Sequence, residues 1–136
     1  MNQLFKCKDF LCKVFIEDTD FQGVVYHANY LKYFERARSQ FLIDHNLSQV
    51  DALLNKETYI VRSINLNYRD SAKLDDQLVI KSEVELISKA RIKFFQSALR
   101  LKNDTLICDG IIEVCYLRKD IGKPKAFPQK LLDLFG

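Results

Sequence analysis

One stretch of this 136-residue chain breaks its general period. From Asn29 to His45, the residues Tyr30, Leu31, Phe34, Ala37, Phe41 and Leu42 recur at steps of three and four. Lys32, Glu35, Arg36, Ser39 and Gln40 lie between them, and neither Gly nor Pro interrupts the run. That spacing puts the apolar side chains on one face of an α-helix of about four to five turns. Most of the remaining pattern alternates by twos, so the chain has one long amphipathic helix to set against sheet. The helix is expected to begin near Asn29, a residue type that caps helices. Asn46, which tolerates a left-handed backbone, is the expected stop. Ser48, with Asp51 three residues on, resembles a capping box opening a short second helix.

The strands are read from alternation. Phe10, Cys12, Val14 and Ile16 share one face of Asp9–Glu17, and Asp18–Gly23 follows as a polar loop. Ile64, Leu66 and Tyr68 alternate with Ser63, Asn65 and Asn67, and Leu78, Ile80, Val84 and Leu86 alternate with Lys81, Glu83 and Glu85. Within Arg91–Lys102 the apolar phase changes from Ile92 and Phe94 to Leu99 and Leu101, which predicts a bulge near Gln96 and Ser97. Leu106–Leu117 is almost wholly apolar around Gly110, as expected of a central strand closely approached by another backbone. Asn103-Asp104 reads as a hairpin turn, and Leu131, Leu132, Leu134 and Phe135 as a short terminal helix. A strand, two helices and four strands joined by short turns make an α+β fold with an antiparallel sheet, here expected as a single domain over 1–136.

Charge and cysteine usage exclude some functions. The net charge of +3 comes without a dense Lys/Arg run, so no nucleic-acid partner is expected. A mild positive balance suits a small ligand bearing phosphates. Cys7, Cys12, Cys108 and Cys115 include no C-x-x-C pair, and the only histidines are His27 and His45. No metal site and no cofactor are therefore expected, and the cysteines read as free thiols. No run approaches the ~20 apolar residues of a membrane span, and the N-terminal residues lack the apolar run of a leader. The expected location is cytoplasmic.

Chemistry concentrates at the junction before the long helix, in Glu17-Asp18-Thr19-Asp20-Phe21-Gln22-Gly23-Val24-Val25-Tyr26-His27-Ala28-Asn29-Tyr30. The first N–H groups of a helix lack intrahelical partners and carry partial positive charge, so they can donate to an oxygen that becomes anionic during acyl transfer. A nearby carboxylate can attack a carbonyl carbon or activate water. Asp20 and Asp18 both lie close to that helix mouth, and on an extended segment they would share one side. Gly23 would let the backbone approach a ligand. Tyr26, Val24 and Val25 are placed to line an acyl pocket, although core packing accounts equally for the valines.

The string Asp18-Thr19-Asp20-x-x-Gly23-Val24-Val25-Tyr26-His27-x-Asn29-Tyr30, followed by Tyr33-x-Glu35-Arg36-Ala37-Arg38, closely resembles the hotdog-fold acyl-CoA thioesterases. Within them it is most similar to the Tol-Pal-associated, YbgC-like group, related to 4-hydroxybenzoyl-CoA thioesterases. Val61-Arg62, Leu74-Asp75-Asp76 and Lys123-Pro124-Lys125 look like further, looser family features. The resemblance implies a long central helix wrapped by a five-stranded antiparallel sheet, in homodimers with joined sheets or homotetramers built from them. It implies Asp20 as the essential carboxylate, backbone N–H groups around His27 that polarise the thioester carbonyl, and a His27 side chain that orients substrate or assists proton transfer. Acyl-CoA is the implied substrate, with acyl carrier protein as an alternative carrier. Two other readings stand beside it. One is a non-catalytic thioester-binding or scaffolding protein, which would need no carboxylate beside an anionic ligand. The other is dehydration of a β-hydroxyacyl thioester, whose motif order differs.

Overall fold

The computed structural model of the chain describes residues 3–136. Met1 and Asn2, the start of the stretch read above as lacking a leader, lie outside the described residues. In chain order the elements are β1 (Leu4–Lys6), β2 (Phe10–Lys13), α1 (Asn29–Asp44), α2 (Gln49–Leu54), β3 (Glu57–Tyr68), β4 (Gln77–Ser88), β5 (Arg91–Arg100), β6 (Leu106–Arg118), β7 (Lys123–Pro124) and α3 (Gln129–Leu132). The sheet runs β1-β4-β5-β6-β3, all antiparallel. β2 continues the β1 edge along β4, so the two short strands share one of five positions, and β7 adds two residues to β6.

α1 lies against the concave face because its stripe is apolar on that side. Tyr30, Tyr33, Phe34, Ala37, Phe41 and Leu42 are buried, whereas Leu31, expected on this face, is exposed. Burying a phenylalanine such as Phe34 is worth about 1.5–3 kcal/mol, and Phe41 adds an edge-to-face contact with Phe94 at 5.7 Å. α1 ends as expected: Asn46 takes φ +58°, and Ser48 Oγ accepts from the Asp51 N–H at 3.0 Å. The start differs. Asn29 is the first helical residue rather than the cap, and its amide donates to the Asp18 carbonyl at 2.7 Å, tying the helix to the preceding loop.

Two strand expectations are corrected. The first strand stops at Lys13, and a 3-10 turn over Ile16–Asp18 leaves Ile16 exposed while Val14 is buried. There is also no bulge at Gln96 and Ser97. β4 and β5 stay in register from Leu78↔Arg100 to Leu86↔Ile92, and the shift falls between Ala98 and Leu99, against β6. The phase did not change at all: Gln96 occupies a core position beside Ile92, Phe94 and Ala98. It is satisfied there by donating to Phe34 O at 3.0 Å and Ser82 Oγ at 3.1 Å, and by accepting from Arg38 Nη1 at 2.9 Å. Gly110 behaves as expected, because a Cβ there would stand 2.8 Å from Asn65 O and collide with the Leu66 side chain.

Candidate active site

The loop entering α1 is built from short-range hydrogen bonds. Asp20 N donates to Val24 O at 2.9 Å and Gly23 N to Asp20 O at 3.0 Å, closing a tight turn. The Gln22 N–H bonds to Asp20 Oδ1 at 2.8 Å, the local pairing that favours aspartate in turns. Gly23 is required by its φ of +79° and not by crowding, since a Cβ there would meet nothing within 4 Å. Phe21, at the tip, is 99% exposed. Bridges from Thr19 to Val25 and from Val24 to Lys73, with Val25 N donating to Ala72 O at 2.8 Å, pin the loop to the β3–β4 connection.

This geometry separates the two carboxylates. Asp18 ends the 3-10 turn, is buried, and accepts from the Phe15 N–H at 2.9 Å through Oδ2. Its carbonyl also accepts from Tyr26 N at 3.0 Å and from the Asn29 amide. Asp18 thus braces the loop from inside, against the expectation that it shares a side with Asp20. The Asp20 carboxylate is half-exposed and pairs with no cation among the described residues. The Tyr33 hydroxyl is buried without a hydrogen-bond partner among the described residues. Burial, and then the Asp18 carboxylate, raise its pKa.

His27 stands exposed at the mouth of α1, its ring 4.4 Å from that of Tyr26. Among the described residues no protein acceptor takes the N–H of His27 or of Ala28. Tyr68, which the alternation marked only as strand, donates its hydroxyl to the His27 carbonyl at 3.1 Å. From Tyr68, the concave-face residues of β3 run through Leu66 and Ile64 to Val61 and Tyr59. A bulge at Arg62 keeps Val61 and Ile64, three apart, on the same side. α1 leaves this stripe open: Tyr68 is 50%, Ile64 45% and Val61 43% exposed. It leads into a small cleft of about 80 Å³ between α1 and the sheet.

The remaining candidates resolve structurally. Arg62 and Arg91 both approach Glu113, and the Arg91 guanidinium, the larger influence, holds that carboxyl below the usual range. Lys125 pairs with Glu57. Among the described residues, Glu35, Arg36 and Arg38 make no ion pair. His45 caps α1 and packs edge-on against Phe5 at 5.1 Å. Burial pushes the Cys7 and Cys108 thiols up to about 12, which keeps them protonated. No helix among the described residues is long and apolar enough to cross a membrane.

Comparison with known proteins places this arrangement. A family model described as the thioesterase-like superfamily matches residues 14–135. An acyl-CoA thioesterase YbgC of Haemophilus influenzae is 36% identical over 127 residues, covering 93% of this chain and 92% of that protein. Another, from Helicobacter pylori, is 38% identical over 132 residues, covering 92% and 97%. The fold superposes with a TM-score of 0.90 on a 1,4-dihydroxy-2-naphthoyl-CoA thioesterase from Synechocystis, at 17% identity and over 98% of this chain and 96% of that one. The matched region takes in the Asp18–Asn29 loop, α1 and strands β3–β7 together, and the chain belongs to the thioesterase-like superfamily and has its hotdog fold.

Proposed function

We propose that this protein hydrolyses acyl-CoA thioesters, with Asp20 as the nucleophile or general base. One observation carries the reading: a half-exposed carboxylate, without a cationic partner among the described residues, stands on a fixed turn at the entrance to α1, close in sequence to two N–H groups that none of those residues accepts. The names of the YbgC relatives support the substrate class. The thioester carbonyl oxygen would accept from the His27 and Ala28 N–H groups, which stabilise the charge that develops on it. Asp20 then either attacks the carbonyl carbon, expelling CoA thiolate and leaving an anhydride that water cleaves, or takes a proton from the attacking water. Both routes yield the free acid and CoA, and a thiolate leaves readily without an acid catalyst. Tyr26 and Val24 flank the reacting end. The test is a panel of acyl-CoAs with thiol release followed by a thiol-reactive dye. Release with at least one member is expected, and silence across the panel would remove the enzymatic reading in favour of a binding protein. The same acyl groups on acyl carrier protein identify the preferred carrier.

The side chain of His27 has the lesser part in this scheme, because its backbone supplies the carbonyl donor. His27→Ala is expected to lower kcat by about tenfold, clearly less than removal of the Asp20 carboxylate. A larger loss with the fold intact would reverse the two roles.

The assembly is proposed from β3. Among the described residues this edge strand pairs on one side only, with β6, and unpaired strand edges invite pairing. We expect a homodimer joined along β3, or a tetramer of such dimers. A monomer mass by light scattering at micromolar concentration would contradict this.

A further inference from the structure

We propose that the cleft between α1 and the sheet selects acyl groups bearing a carboxylate at their far end, and that Arg38 is the residue that reads it. The proposal rests on the thioesterase reading and adds a substrate class to it. The cleft has apolar walls from Tyr59, Ile92, Phe94 and Val114, and its only charged lining groups are Arg38 and Glu35. Such walls suit methylenes, and a guanidinium among them suits an oxyanion.

Arg38 is unusual for a half-buried cation. No carboxylate pairs with it among the described residues. Its one hydrogen bond is from Nη1 to Gln96 Oε1, and Gln96 is itself fixed by Phe34 O and Ser82 Oγ. Phe94 lies under the guanidinium, 6.0 Å from its carbon. The head group is therefore held by a chain of buried contacts while its other N–H groups have no acceptor among the described residues. A desolvated cation without a counter-ion is costly, and its burial lowers its pKa. An incoming carboxylate supplies what the protein withholds.

The distances connect this end to the chemistry. Arg38 lies nine residues beyond Asn29 on α1, about 13 Å along the axis, and helical side chains lean back toward the N-terminus. The open stripe of Tyr68, Ile64 and Val61 joins the His27 carbonyl to the cleft. An acyl group with its carbonyl at the helix mouth and its chain along this stripe would reach Arg38 at medium length. Glu35, one turn earlier, opposes an anionic tail. It is exposed, so solvent and salt screen it more than they screen Arg38.

The experiment uses CoA esters in length-matched pairs, hexanoyl against adipoyl and octanoyl against suberoyl. The ω-carboxylated member is expected to have the higher kcat/KM by about tenfold or more, the scale of one charge-assisted hydrogen bond. Arg38→Met should erase that preference while leaving the plain acyl esters nearly unchanged, Arg38→Lys should keep part of it, and Glu35→Gln should enlarge it. Equal rates within each pair for the unmodified protein would overturn the proposal, as would an Arg38→Met loss shared equally by both members, which marks a structural role. If no ester is hydrolysed, the thioesterase reading fails separately. Calorimetry with the matching non-hydrolysable CoA thioethers then decides: tighter binding of the ω-carboxylated thioether, lost in Arg38→Met, upholds the assignment, and equal binding ends it.

Discussion

Asp20→Asn is expected to fold and assemble normally and to lose at least about a hundredfold in kcat. General-base catalysis alone contributes roughly 10²–10⁴-fold, and a nucleophilic role adds to it. The substitution is clean because the side chain's one structural task is to accept the Gln22 N–H at 2.8 Å, which an asparagine oxygen also does. No ion pair among the described residues is broken by it. KM should change little if the carboxylate acts chiefly in the transition state. Asp18→Asn is the informative companion. Asp18 is buried and accepts the Phe15 N–H through its carboxylate, a bond an asparagine oxygen also makes, so its replacement should leave turnover largely intact. Near-full turnover in Asp20→Asn, alongside an inactive but folded Asp18→Asn, would move the catalytic role to Asp18.

Gln96→Leu is expected to be among the most damaging single substitutions in the core, costing about 3 kcal/mol or more. Leucine fits the volume, but Phe34 O, Ser82 Oγ and Arg38 each lose a partner, and an abandoned buried polar group costs about 1–3 kcal/mol. For a chain of this size that corresponds to a fall of roughly 10 °C in Tm, measured at fixed protein concentration because assembly contributes to apparent stability. Adding Arg38→Met to Gln96→Leu removes the stranded cation, so the double variant should be more stable than the sum of the single effects implies, by about 1 kcal/mol. A cost below about 1 kcal/mol for Gln96→Leu would show that water satisfies all three groups.

The residue pattern revealed periodicity far better than it revealed satisfaction. The α1 stripe, the Asn46 stop, the Ser48 cap and the crowding at Gly110 each follow from one residue's conformational or steric demand, and each was legible. Gln96 was misread because periodicity equates polar with outward. A glutamine with partners on a helix, a neighbouring strand and an arginine is invisible until those elements meet. Asn29 misled in a related way, since its amide acts as a donor to Asp18, eleven residues back, rather than as a cap. At the site, the family motif singled out Asp20 over Asp18. The physical basis of the difference is the 3-10 turn that rotates Asp18 inward, and alternation could not show it. Tyr68 lay too far along the chain from His27 to be linked to it. The unpaired state of Arg38 depends on what its neighbours fail to supply, and no local pattern records that.

The exposed tip of the Asp20–Gly23 turn also makes the protein unusually convenient to watch. The chain contains no tryptophan, and Phe21 makes so little contact that it is almost wholly in solvent. A Phe21→Trp variant would therefore carry a single indole fluorophore one residue from Asp20, on a backbone held by Gly23 and the Asp20 carboxylate. Ligand arrival, subunit association and loop opening would each change the polarity around that one emitter, so a stopped-flow spectrometer could time events at this loop in the intact protein without an attached dye.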